Sequence, residues 1–114
     1  MSDPNELIIY QKIYDLILYS FPILNRFPKS QKFVQAQQIE NSMISLGKLI
    51  VQANGDYNKN FVLKQADAEL EILKLLVRLA KDLKFFQRLS HYENHSKRLE
   101  EIGRLLGGLQ KKFR

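Results

Sequence analysis

The sequence predicts an all-α protein, an antiparallel up-down-up-down four-helix bundle occupying residues 1–114 as one domain. Three observations carry that expectation. Four segments repeat apolar residues at helical spacing and use nearly the whole chain. Glycine and proline are few, 5 and 3, and the β-branched alternation of strands is missing. The three stretches between the segments are short, which makes neighbouring helices antiparallel. At 114 residues the chain is long enough for one core and too short for two.

The first helix is expected from about Asn5 to Asn25, capped by Asp3 or Asn5, with Glu6 at the positive end of its dipole. Pro22 falls inside the pattern, where it removes a backbone bond and crowds the preceding turn, so a bend is expected there. Arg26–Ser30 forms the first turn. The second helix then runs to about Ala53, with a core stripe of Phe33, Ala36, Ile39, Met43, Leu46, Ile50 and Ala53. Asn54–Gly55 is the expected left-handed stop.

The third helix, from Lys59 to about Phe86, organises the rest. One apolar row is Leu63–Ala66–Leu70–Leu73–Val77–Ala80 and a second is Ile72–Leu76–Leu79–Leu83–Phe86, an arc wider than one packing seam requires. Such a helix needs neighbours on two sides. Ser90 with Glu93 reads as a capping box opening the fourth helix, whose inward stripe is Tyr92–Leu99–Ile102–Leu106–Leu109–Phe113. Gly103, Gly107 and Gly108 interrupt it, each costing roughly 0.8–1 kcal/mol against alanine, which calls for close packing within the subunit or between subunits.

The net charge is +6 and the isoelectric point about 9.6. Residues 1–58 hold five bases and five acids, whereas residues 59–114 hold thirteen bases and seven acids, so the excess lies wholly in the second half. That asymmetry points to an anionic partner: nucleic acid, a membrane surface or an acidic protein. The sharpest feature is a row of cations on the third helix, Lys74, Arg78, Lys81, Lys84 and Arg88, spaced 4, 3, 3 and 4, with only Asp82 of opposite sign nearby. Phosphates would relieve its self-repulsion, and no base-reading motif accompanies it, so recognition is expected to be weakly sequence-specific.

Other chemistry is poorly supported. The chain has no cysteine, which excludes disulfides, thiolate metal sites and cysteine nucleophiles. His91 and His95 sit four apart without a third ligand, and no nucleophile–base spacing stands out, so neither a cofactor, a small-molecule substrate nor an enzyme is expected. Glu93–Lys97 and Glu100–Arg104 read as surface pairs, and Glu69 and Glu71 as solvent-facing. The acidic amino terminus does not read as a targeting segment. The longest charge-free run, Leu16–Asn25, is half of what a bilayer needs, so a cytoplasmic protein without membrane association is expected.

Four stretches together carry a resemblance: Tyr14–Asp15 through Phe21–Pro22, FPKSQKF at Phe27–Phe33, ADAELEILKLLVRLAKDL at Ala66–Leu83, and EIGRLLGG at Glu101–Gly108. They resemble the accessory variability determinant (Avd) proteins of diversity-generating retroelements. The four-helix proteins encoded in ribosomal-RNA intervening sequences share the architecture but match these motifs less well. The resemblance implies a homopentameric barrel with a positive surface that binds the element's reverse transcriptase and RNA or DNA during mutagenic copying of template RNA into cDNA. It places Lys74, Arg78 and Arg104 on basic positions of the family pattern, with Lys81, Lys84 and Arg88 extending the row. The rival expectation is a scaffold whose positive face meets only protein.

Overall fold

Asp3 caps the first helix, accepting hydrogen bonds from the backbone N–H groups of Asn5 at 2.7 Å and Glu6 at 3.4 Å. Pro4 follows at the first helical position, where its missing N–H leaves no bond unmade, and α1 runs Pro4–Leu24. The computed structural model describes residues 3–114; Met1 and Ser2, which open the acidic amino terminus, lie outside the described residues. The helix continues through Pro22, which withholds a donor from the carbonyl of Leu18, and in the same region Ser20 Oγ donates to Leu16 O at 2.6 Å. By length and composition α1 is apolar enough to cross a membrane, although the longest charge-free run within it is short. Ile9, Ile13, Leu16 and Leu24 are buried in the core, while Leu7, Tyr14, Leu18 and Phe21 on the other side are exposed.

The second helical run, α2, is built in three pieces: a single turn at Lys29–Gln31, a π-helical segment at Lys32–Ala36, and an α-helix at Gln37–Gly55. The wider π turn was not expected, and it overturns one position of the predicted stripe. Phe33 is 84% exposed. Each π turn holds more residues than an α turn, so stepping back from Ala36 no longer returns Phe33 to the core side. Gln35 takes the inward place and donates from Nε2 to the carbonyl of Leu76 at 3.1 Å. From Ala36 onward the expected stripe is buried without exception. The expected left-handed stop at Gly55 is also absent. No glycine among the described residues has positive φ, and the helix ends because Asp56 turns to an extended conformation.

α3 spans Lys59–Asp82, begun by Asn58, whose side chain accepts from the backbone N–H of Phe61 at 3.2 Å. It ends four residues before the expected Phe86. Lys84 adopts φ 62, the N–H of Phe85 donates to Ala80 O at 2.9 Å, and that of Lys84 donates to Lys81 O at 3.0 Å. Those two bonds form a Schellman stop with lysine where glycine is usual. The fourth helix, α4, spans Leu89–Lys112, and its start also differs from expectation. Arg88 occupies the cap position with no side-chain cap bond, so Ser90 lies inside the first turn and is not the cap.

Each helix packs on its chain neighbours, and α4 closes the ring against α1, giving a four-helix bundle 42 × 22 × 20 Å in extent. The first row of α3, Leu63 to Ala80, is fully buried, with Met43, Leu46, Ile50, Leu99, Ile102 and Leu106 among its companions in the core. Its second row is not: Ile72, Leu79 and Leu83 stay 51%, 43% and 51% exposed. Within the chain α3 packs on both α2 and α4, and among the described residues nothing covers Ile72, Leu79 and Leu83.

The two ends of the bundle are closed differently. At one end Phe27, 2% exposed, meets Phe86 edge-on with centroids 5.1 Å apart and Phe85 at 6.0 Å, and Phe86 in turn meets Tyr92 at 6.0 Å. At the other end Lys59 joins all four helices. Its Nζ lies 2.7 Å from Glu6 Oε1 of α1 and 3.3 Å from Asn54 O of α2, and sits 5.0 Å from the ring centroid of Phe113 just past α4.

Candidate nucleic-acid interface

Leu70, Leu73 and Val77 point α3 into the core, so the residues beside them on the helix border the groove shared with α4. Lys74 is one of these. It lies half-buried at the middle of the groove, and Arg104 of α4 lines the same recess. The two cations line one recess together with Asp67, Leu70, Glu71, Glu100 and Gly103. Gly103 lies between them, where a Cβ would make ordinary contact with Leu70 at 3.5 Å and with the ammonium of Lys74 at 3.7 Å. Toward the aromatic end an adjoining recess brings Lys74 and Arg78 beside Tyr92, Ser96 and Glu100. Lys74, Arg78 and Arg104 therefore occupy one continuous groove.

The groove holds more acid than the single Asp82 expected beside the row. Lys74 Nζ is 3.3 Å from Glu71 Oε1, Arg78 Nε is 3.9 Å from Asp82 Oδ2, and Lys81 Nζ is 3.5 Å from Asp82 Oδ1. Three carboxylates, from Asp67, Glu71 and Glu100, line the recess that holds Lys74 and Arg104. These pairs are solvent-exposed to a large degree, so each holds its partner weakly, by less than about 1 kcal/mol. Arg78, 77% exposed at its side chain, is the most exposed of the three paired cations.

Lys81 leans over Tyr92, its Nζ 5.4 Å from the ring centroid. Lys84 and Arg88 do not continue the helical row, because α3 ends at Asp82. Lys84 is the left-handed residue of the stop and Arg88 the extended cap of α4, so both stand on the connecting loop at the aromatic end. Their expected spacing held only for a helix that continued to Phe86.

Several acid–base partners also differ from expectation. Neither Glu93–Lys97 nor Glu100–Arg104 is among the ion pairs formed by the described residues; Glu101 instead reaches Lys12 of α1 at 3.1 Å. Glu69 does not face solvent freely but accepts from Ser42 Oγ at 2.8 Å. Asp3 meets Lys112 at 2.6 Å, and that ammonium holds the Asp3 carboxyl below the usual carboxylate range. Glu40 moves the other way, burial raising its carboxyl.

The burial of His95 was not read from the sequence, where the residue figured only with His91 as a metal-ligand pair lacking a third ligand. It is 1% exposed, between Leu99 and the first turn of α4, with neither ring nitrogen partnered among the described residues. Burial, with the nearby positive charge of Arg98, pushes its pKa down to about 4. Arg98 itself stacks over Tyr19 of α1 at 4.5 Å from the centroid. The only available signal was its place four residues before Leu99 on the inward stripe, where an apolar residue belongs. Among the described residues no three His, Cys, Asp or Glu side chains converge as a metal site would require.

No curated protein matches the chain. A family model described as bAvd-like matches residues 7–113, from the first turn of α1 to the residue after α4. The match takes in every helix and both recesses of the groove, and with the all-helical fold it points to a non-catalytic protein. The chain belongs to the bAvd-like family, that of the accessory variability determinant proteins.

Proposed function

We propose that this protein is an accessory subunit of a diversity-generating retroelement, acting in the cytoplasm, that assembles into a homopentameric barrel and binds both the reverse transcriptase and template RNA or cDNA. The observation that carries the reading is the family match over residues 7–113. Two features of the subunit support it. The uncovered row Ile72, Leu75, Leu79 and Leu83 on α3 and the stripe Tyr14, Leu18 and Phe21 on α1 are separate apolar faces. Two different faces on one subunit suit a head-to-tail contact, which closes into a ring when the rotation allows. The groove holding Lys74, Arg78 and Arg104 then repeats around the ring, and five subunits of net charge +6 carry about +30.

The test changes Lys74, Arg78 and Arg104 together to alanine and measures binding of labelled RNA and a matched DNA across a salt series. Wild type should bind tightly at low salt with a steep logarithmic salt dependence, and the triple variant should lose affinity and slope while keeping its oligomeric state. Normal binding and normal retroelement activity in the triple variant would sink the role given to this groove. The competing scaffold reading draws on one observation, the three carboxylates beside Lys74 and Arg104. A mixed-sign recess suits a protein surface better than a phosphate chain. Under that reading wild type binds no nucleic acid even at low salt, and crosslinks from the groove reach only protein.

A further inference from the structure

The groove between α3 and α4 changes character toward the Lys59 end. There it opens into a recess of about 520 Å³ lined by Asn60 and Lys64 from the start of α3, by Gly107, Gln110 and Lys111 from the end of α4, and by Arg114. Its lining has three cations, two carboxamides and a glycine, and no carboxylate side chain. This separates it from the middle of the groove, where acids outnumber bases three to two. Lys64, Lys111 and Arg114 form no ion pair with any described residue, whereas Lys112 beside them is engaged by Asp3.

Gly107 adds an independent observation. A glycine in a helix interior is unfavourable against alanine, and close packing is the usual compensation. A Cβ on Gly103 would stand in ordinary contact with Leu70 at 3.5 Å, whereas one built on Gly107 meets nothing within 4 Å. The missing side chain leaves space, and that space is part of the recess. Three cations sharing one opening repel each other unless an anion stands between them. The carboxamides of Asn60 and Gln110 supply neutral donors beside them. Phosphate, with several acceptor oxygens distributed about one centre, suits donors converging from two helices.

We propose that this recess is a second phosphate-binding site, which receives a phosphodiester of the RNA or cDNA strand at the end of the bundle remote from Lys84 and Arg88. The assignment of the phosphate to a nucleic-acid strand rests on the function proposed above; the recess itself is argued from its own lining. Lys64 stands ten residues from Lys74 on α3, about 15 Å along the helix, so one strand lying in the groove reaches both this recess and the mixed-sign middle that holds Lys74 and Arg104.

Two variants of the full chain test it: Lys64→Gln with Lys111→Gln and Arg114→Gln, and Gly107→Leu, which fills the space without changing charge. The first measurement is the rise in melting temperature caused by inorganic tripolyphosphate against sodium chloride at matched ionic strength. Wild type should rise, and both variants should rise by less than half as much. Gly107→Leu alone should melt no lower than wild type, because leucine is the better helix former, so lost binding cannot be assigned to misfolding. The second measurement is anisotropy of labelled single-stranded RNA across salt, where the triple-glutamine variant should lose about 2 from the logarithmic slope, near 0.7 per cation. No stabilisation of wild type by tripolyphosphate, or equal stabilisation of the variants, overturns the site. Stabilisation by tripolyphosphate with no RNA binding by wild type leaves an anion site but overturns its assignment to a nucleic-acid strand. RNA binding that is lost in the Lys74, Arg78 and Arg104 variant but unchanged in both recess variants overturns the recess and leaves the proposed function standing.

Discussion

Replacing Lys59 by methionine should destabilise the subunit by about 3 kcal/mol. Lys59 Nζ is the partner of Glu6 Oε1 at 2.7 Å, and Glu6 is 3% exposed with its other oxygen already unpartnered among the described residues. Removing one member of a buried ion pair costs roughly 3–5 kcal/mol, since the remaining charge keeps its desolvation and loses its compensation. The Lys59 side chain is 25% exposed, so water can reach part of the gap and the lower end of that range applies. The same substitution also removes the bond to Asn54 O at 3.3 Å and the approach to the Phe113 ring. Urea unfolding at fixed protein concentration should show the midpoint falling by about 1.5 M if the slope is near 2 kcal/mol per molar, with the slope unchanged. Fixing the concentration matters because the proposed assembly would make stability depend on it. Changing Glu6 to leucine in the same chain removes both charges and should restore stability to within about 1 kcal/mol of wild type. A loss below about 1 kcal/mol in the single variant would refute the reasoning. So would a double variant no more stable than Lys59→Met.

Phe27→Ala should cost about 3–5 kcal/mol in the same assay, because it opens a cavity under Phe85 and Phe86 where the bundle end is closed. Lys84→Gly should raise stability by about 0.5–1 kcal/mol in thermal unfolding by relieving the left-handed strain at the α3 stop, partly offset by the greater freedom of glycine in the unfolded chain. His95 is neutral in both states above its ordinary pKa of 6.5, and its contribution is then complete. As pH falls from 6.5 through about 4 the unfolded chain takes up a proton that the folded one refuses, so stability should drop by about 3 kcal/mol, at 1.36 kcal/mol per pH unit. His95→Leu should flatten that part of the curve and also stabilise the protein at pH 7, where two unpartnered ring nitrogens are removed from the core. An unchanged acid limb in His95→Leu would show that another group governs it.

The four helices were legible because burial follows period. Ala36 through Ala53 on α2, and Leu63 through Ala80 on α3, satisfy a 3.6-residue repeat over five turns or more, and every member is buried. The short connections dictated the antiparallel order, and the uncovered second row of α3 was visible as an apolar arc too wide for one seam. What failed was local geometry decided by neighbours. The π segment at Lys32–Ala36 rotates Phe33 outward and Gln35 inward, where Gln35 bonds the Leu76 carbonyl across the interface, and no repeat within the segment announces that bond. The stop at Lys84 places Phe85 and Phe86 on Phe27, an aromatic contact across more than fifty residues that outweighs the preference for glycine. Electrostatics escaped for the same reason. Lys74, Arg78 and Arg104 were picked out from spacing and resemblance; Asp67 and Glu71 share α3 with Lys74 and Glu100 shares α4 with Arg104, but only the packing of α3 on α4 gathers all three carboxylates into one recess with both cations. Lys64 lies far in the chain from Lys111 and Arg114, so their common recess exists only after folding. Periodicity along one helix is a property of the chain; which charges face each other depends on the azimuth and axial register of two helices, and packing across the whole bundle sets both.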